Sequence, residues 1–196
     1  MTGALAVGVC GVVLASLSLG WQAANYVLTG GRVKVRLLVG AVGRGGIVTA
    51  PATNLSLEWL QGLAAQGFSQ PIVAVNVANV GRQPVKVERW GLKSGLGMSL
   101  YPTSDGFGPG LPHRLDVGDA ETWAINMDVV RSFMQATKAT LEKSQALKSN
   151  SNSSLVGKIA AEMGRPEGTD VVGAVELADG RKKFSEGVLT ALEPLL

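Results

Sequence analysis

The side chains with chemical potential crowd into one stretch. "PTSDGFGPGLPHRLDVGDAE", from Pro102 to Glu121, holds the only histidine, His113, beside Ser104, Asp105, Asp116, Asp119 and Glu121. Serine, histidine and carboxylate are the parts of a nucleophilic triad, and closely spaced carboxylates offer oxygens to a calcium ion. Their surroundings argue against both chemistries. No Gly-x-Ser-x-Gly elbow presents a serine, and a histidine between Pro112 and Arg114 suits a residue that fixes a turn. A single histidine excludes a histidine cluster for zinc, and Asp116, Asp119 and Glu121 do not follow EF-hand spacing. "GAVGRGG", Gly40 to Gly46, lacks the Lys-Ser/Thr of a phosphate loop and the full dinucleotide pattern. The expectation is therefore a protein that is not an enzyme, with no catalytic, cofactor-binding or metal-binding residue and no cofactor. A membrane-bound hydrolase using His113 with a neighbouring acid is the enzymatic alternative. Six of the fourteen residues from Pro102 to Leu115 are Gly or Pro, which predicts an exposed loop over Pro102–Pro112. Tyr101, Phe107, His113 and Arg114 are its candidate interaction residues.

The rest of the chain must position that loop. Its first 31 residues carry no Asp, Glu, Lys or Arg, whereas charged residues make up 17% of the whole. From Ala4 to Val27 the run is apolar apart from Ser16, Ser18, Gln22 and Asn25. At 1.5 Å rise per residue, about 20 residues span a bilayer core, so residues 1–30 are expected to form a transmembrane helix and a short hinge. Trp21 and Tyr26 would lie at the membrane interface, with Arg32, Lys34 and Arg36 just beyond it. No basic residue precedes the run, which disfavours a cleaved signal peptide. The positive charges follow it, which places the N-terminus outside and the remaining domain in the cytoplasm, at the inner (plasma) membrane. Gly8, Ser16 and Gly20 fall on a four-residue spacing that permits helix–helix contact and a homo-oligomer through this helix. The alternative is a helix buried in a protein assembly, with no lipid contact.

Residues 31–196 are expected to form one β-rich domain, with 148–156 as a polar linker or loop. Val33, Val35 and Leu37 alternate with Lys34 and Arg36 as in a half-buried strand. Asn54 is a candidate cap for a helix over 55–66. Strands over 72–80 and from Val85, with Gly81 and Pro84 between them, predict a β-hairpin. A short strand is expected at 98–101, strand–turn–strand over 111–126, and a helix from Asp128 to Leu147. "ADG" at 178–180 predicts a second hairpin. Trp59, Trp90 and Trp123 are expected in the core. Roughly seven short strands with two inserted helices predict a mainly β fold with minor α, a small antiparallel β-sandwich-like domain. The doubly wound α/β alternative lacks its alternating crossover helices.

A net charge of +3 is scattered along the chain rather than gathered with aromatics, so nucleic acid is not an expected partner. The one cysteine, Cys10, lies in the apolar run and leaves the domain without a disulfide framework.

"VNVANVGRQPVKVERWGL" and "GPGLPHRLDVGDAETWAINMDVVR" resemble a group of uncharacterised small membrane proteins of actinobacteria and their phages. That resemblance implies one N-terminal transmembrane helix and a strand-rich domain, and offers no catalytic residue. It also implies a phage or prophage setting, with a role in superinfection exclusion or membrane-linked defence. Together these expectations describe a single-pass, membrane-anchored protein-interaction module with the lipid bilayer and an unknown protein as partners.

Overall fold

The computed structural model describes residues 2–54, 57–103, 106–148 and 170–189. The chain begins with helix α1 (Thr2–Thr29) and continues almost at once into β1 (Val33–Gly43). β2 (Gly46–Pro51), a single 3-10 turn and α2 (Leu57–Ala65) follow, then β3 (Gln70–Asn79) and β4 (Val85–Ser94). Four short strands come next: β5 (Ser99–Leu100), β6 (Gly106–Phe107), β7 (His113–Leu115) and β8 (Ala120–Asn126). Helix α3 (Met127–Lys148) and the pair β9 (Val171–Leu177) and β10 (Lys182–Leu189) complete the described residues.

Two antiparallel sheets pack face to face. One runs β2-β1-β3-β8-β6; the other runs β10-β9-β4-β5, with β7 also paired to β4. Period-two alternation builds the space between them. Val35, Leu37 and Val39 of β1, Val73, Val75 and Val77 of β3, and Trp123 and Ile125 of β8 meet Trp90 and Leu92 of β4 and Val171, Val175 and Leu177 of β9. Each such side chain taken fully out of water contributes roughly 1.5–3 kcal/mol. The opposite face of the first sheet carries a smaller apolar cluster of Ile72, Ala74 and Ala124, against which Leu38 and Val42 pack. α2 packs against β1, and α3 adds Val130 and Met134 to the main core. The mainly β class, the two sheets and the two inserted helices thus agree with expectation.

The membrane-spanning helix does not. Among the described residues, no helix is long and apolar enough to cross a membrane. α1 carries Ser16, Ser18, Gln22 and Asn25 along its length. The expected single-pass anchor, N-out topology and inner-membrane location therefore have no structural basis. The same holds for the bilayer as partner, for self-association through a membrane helix, and for a protein partner recruited by an anchored module.

Trp21, expected at a membrane interface, is 70% exposed, and the side chain of Tyr26 lies outside the described residues. Lys34 is engaged within the fold, 3.2 Å from Glu186, while Arg36 is an exposed residue of β1. Arg32 is tied by its backbone: its carbonyl accepts the N–H groups of Val80 and Gly81. Gly8 and Gly20 have no heavy atom within 4 Å of where a Cβ would stand. The Ser16 hydroxyl donates to the Val12 carbonyl at 2.8 Å.

The expected hairpin between 72–80 and Val85 is also replaced. β3 belongs to the first sheet and β4 to the second, so Val80–Pro84 is a crossover between layers. The turn from β7 to β8 is another. Asn79, 1% exposed, joins the two: its Nδ2 donates to the carbonyls of Gln83, Leu115 and Asp116, and its Oδ1 accepts the Gly81 N–H. At α3 the cap is Asn126, whose Oδ1 accepts the Asp128 N–H at 2.9 Å, while Asp128 pairs with Arg131 in the first turn. The β9–β10 hairpin forms as expected, with Gly180 at φ +80° in its turn. Trp90 and Trp123 are core residues, whereas Trp59 is half-buried. The side chain of Asn54 and nearly all of the expected linker 148–156 lie outside the described residues.

Candidate functional site

The outward face of the second sheet carries the most chemically varied cleft. With Trp90 and Leu92 turned into the core, strand alternation sends Arg89, Gly91 and Lys93 to the outside. Register then lines up three cross-strand rows over β4, β9 and β10: Arg89–Glu176–Lys182, Gly91–Ala174–Phe184 and Lys93–Val172–Val188. The middle row is the key to the shape. Leu100 and Tyr101 fold over Gly91 and Ala174 projects a single methyl group, so a cleft lies between Tyr101 and Phe184.

Tyr101 forms one wall. A Cβ on Gly91 would stand 2.9 Å from its Cδ1 and would collide with the Leu100 carbonyl, so only glycine lets the segment after β5 fold down here. Phe184 of β10 forms the other wall. Each ring has a cation over its face: the Arg89 guanidinium lies 5.9 Å from the Tyr101 centroid, and Lys93 Nζ lies 5.1 Å from that of Phe184. Such pairs hold long cationic side chains upright at the rim. Arg89 Nε also lies 3.7 Å from Glu176 Oε2. The enclosed volume is about 240 Å³. Lys93 and Lys182 line it together with the single carboxylate of Glu176, which Arg89 approaches from outside the lining.

A second, wider cleft of about 550 Å³ opens on the other flank of β10, between Arg32, Lys34, Arg181, Lys183 and Glu186. Phe184 lines both. Its charges are more fully internally matched. Lys34 pairs with Glu186, and Arg181 pairs with Asp179 while donating to the Gly31 carbonyl at 3.3 Å. The backbone N–H of Arg181 donates to the Asp179 carboxylate, which with the guanidinium holds that carboxyl below its usual pKa, against a small opposing effect of burial.

The expected interaction residues are dispersed. Tyr101 is in the first cleft. Phe107 lies on β6 at the edge of the other sheet, paired with Ala124. His113 and Arg114 belong to β7, alongside Val87 and Lys86. The segment between is clamped: the indole N–H of Trp123 donates to the Pro109 carbonyl at 2.9 Å, and Gly108, at φ +134°, lies against the Trp123 ring. The imidazole of His113 meets that ring edge-on, 6.0 Å between centroids, with Nε2 4.0 Å from Glu121. Arg114 pairs with Asp116, and Asp119 accepts the Asp116 N–H, so these acids shape the turn. Ser104 and Asp105 lie outside the described residues, and among the described residues no group of His, Cys, Asp or Glu could hold a metal ion.

Arg89, Lys93, Glu176, Lys182 and Phe184 were not singled out from sequence. Their charges are scattered along the chain, and only register gathers them. The available signal was the alternation of "ERWGLK", which sets Arg89, Gly91 and Lys93 on one face.

No family model, curated protein or solved structure matches this chain. The expected membership of an actinobacterial and phage membrane-protein group is therefore without support from any relative, as it is from α1. The superinfection-exclusion and defence role that came only with that resemblance goes with it.

Proposed function

We propose that the chain is a non-catalytic binding protein whose β-sandwich holds an anionic ligand in the cleft on the outer face of its second sheet. The observation that carries this is the placing of Lys93 and Lys182 in the lining of one cleft beside Ala174, while its single carboxylate, Glu176, is paired with Arg89. A concave site with aromatic walls and a few placed charges can hold and orient a small ligand. Cations resting on rings and a carboxylate already paired with arginine bind and orient a guest. They supply no nucleophile with its base.

Thermal denaturation with a panel of small anions and their uncharged analogues tests this. Anions are expected to raise Tm by several degrees at about 100 times Kd, where ligation adds roughly 2.7 kcal/mol. The Lys93→Met/Lys182→Met double variant is expected to lose the shift. Equal stabilisation by the neutral analogues, or a full shift in the double variant, overturns the proposal.

A further inference from the structure

We infer that the ligand is a short polyol acid, an acid group carried on a hydroxylated chain; this rests on the anion-binding proposal above and narrows it. The polar groups of the lining sort into donors and acceptors. Lys93 and Lys182 carry donors only, and among the described residues neither forms an ion pair. Lys93 Nζ lies over the Phe184 ring, and Lys182 stands two residues before Phe184 on β10, so the two cations approach the same side of the cleft from β4 and from β10. That side takes the acid group.

Glu176 is a group of the opposite kind. Its side chain is 22% exposed, and its charged contact, Arg89 Nε at 3.7 Å from Oε2, is too long for a hydrogen bond. Among the described residues no hydrogen bond reaches either of its oxygens. An ionised carboxylate only accepts, and one this covered is stabilised by any donor brought to it. A bare anion brings it more negative charge and no donor, whereas a hydroxyl brings the donor it lacks. The side-chain hydroxyls of Ser99 and Tyr101 line the same cleft and, among the described residues, also have no hydrogen-bond partner. With Leu100 and Tyr101 folded over Gly91 and Val172 buried, no broad apolar floor competes for a hydrocarbon body. The volume, about 240 Å³, lies below the roughly 300–1,000 Å³ of sites for drug-sized ligands, so a chain of about three to six carbons fits and a nucleotide does not.

The test is an amide-resolved NMR titration of the full chain in matched pairs, gluconate against butyrate and glycerol phosphate against inorganic phosphate, with glycerol as the uncharged control. At least one polyol acid is expected to shift the amides of Ser99, Glu176 and Phe184, and to bind about tenfold more tightly than its bare counterpart and than glycerol. The tighter of the two identifies the acid group as carboxylate or phosphate. Glu176→Met should cut that preference about fivefold or more, while Glu176→Gln, which keeps an acceptor oxygen, should retain most of it. Lys93→Met should weaken every acid about tenfold. If butyrate and inorganic phosphate match their polyol partners at these amides, the cleft binds anions but the polyol assignment is wrong. If Glu176→Met leaves the preference unchanged while the dispersion of the free spectrum is retained, the assignment is equally wrong. If none of the four anions perturbs the cleft, the anion-binding proposal itself fails.

Discussion

Removing the side chain of Asn79 should damage the fold more than any other single polar change among the described residues. Asn79→Ala unmakes three hydrogen bonds from Nδ2, to the carbonyls of Gln83 at 2.9 Å, Leu115 at 3.2 Å and Asp116 at 3.1 Å, and one to Oδ1 from the Gly81 N–H at 3.0 Å. The Leu115 bond is buried, while those to Gln83 and Asp116 are partly so, which lets water recover part of the loss. Gly81 N–H retains the Arg32 carbonyl as acceptor. Taking about 1 kcal/mol for each rehydrated group and 1–3 kcal/mol for the stranded one gives a loss of about 3–5 kcal/mol. For a domain of this size that corresponds to a Tm lower by roughly 10 °C. Asn79→Asp should be at least as damaging, because it keeps the acceptor, loses every donor and buries a charge. Asn76→Ala is the comparison: half-buried, it gives up its bond to Thr122 Oγ1 and a weak one to Glu121, worth about 1 kcal/mol. Paired thermal and urea denaturation followed by circular dichroism measures all three. A loss below about 1 kcal/mol for Asn79→Ala would refute the assignment of this residue as the joint between the two layer crossings.

Gly91→Val should force the Leu100 carbonyl and Tyr101 away from β4, abolishing ligand-induced Tm shifts while the core Trp90 fluorescence stays native. Deleting residues 1–28 should leave the domain's Tm within about 2 °C, since among the described residues α1 makes no extended contact with it. It should also remove concentration-dependent light scattering, because Val12, Leu14, Leu17, Leu19 and Trp21 are each 66–72% exposed. The Asp179 carboxyl has a folded-state pKa below the ordinary aspartate value, so its stabilisation is complete above that ordinary value and is lost as pH falls through the lowered one. The Arg181 amide signal should therefore hold steady from neutral pH to about 4 and move only below it, and Asp179→Asn should flatten that response.

Local structure was the legible part of this sequence. Alternation gave β1, the helical spacing gave α2, and Asp179-Gly180 gave the last hairpin, because each is decided by neighbours within a few residues. Layer assignment was not legible. Gly81 and Pro84 do mark a bend after β3, but nothing local says that the chain leaves one sheet for the other; that depends on Asn79 meeting Leu115, 36 residues away. The Pro102–Pro112 segment shows the same limit, since its glycines and prolines serve a close fit on Trp123 rather than freedom. The cleft was hidden for a related reason: Arg89, Tyr101, Glu176 and Phe184 come from segments more than seventy residues apart and acquire a common face only through register. α1 was misjudged because an uncharged, largely apolar run was read as a span despite Ser16, Ser18, Gln22 and Asn25 along it.

The direct passage from α1 into β1 has a mechanical consequence. β1 is an inner strand, held by β3 along Val33–Val42 and by β2 along Leu38–Gly43. At its entry Gly31 is wedged against Val85 and Gly81 against the Arg32 backbone. A pull on α1 along the strand direction would load those two ladders in shear, with many hydrogen bonds sharing the force together. Opening them one at a time, as when an edge strand is peeled away, would need far less force. The helix is thus attached to the domain at a tension-resistant point, where the Asn79 joint, opposite Val33, and the β9–β10 hairpin, through Arg181 on the Gly31 carbonyl, both meet the entry of β1.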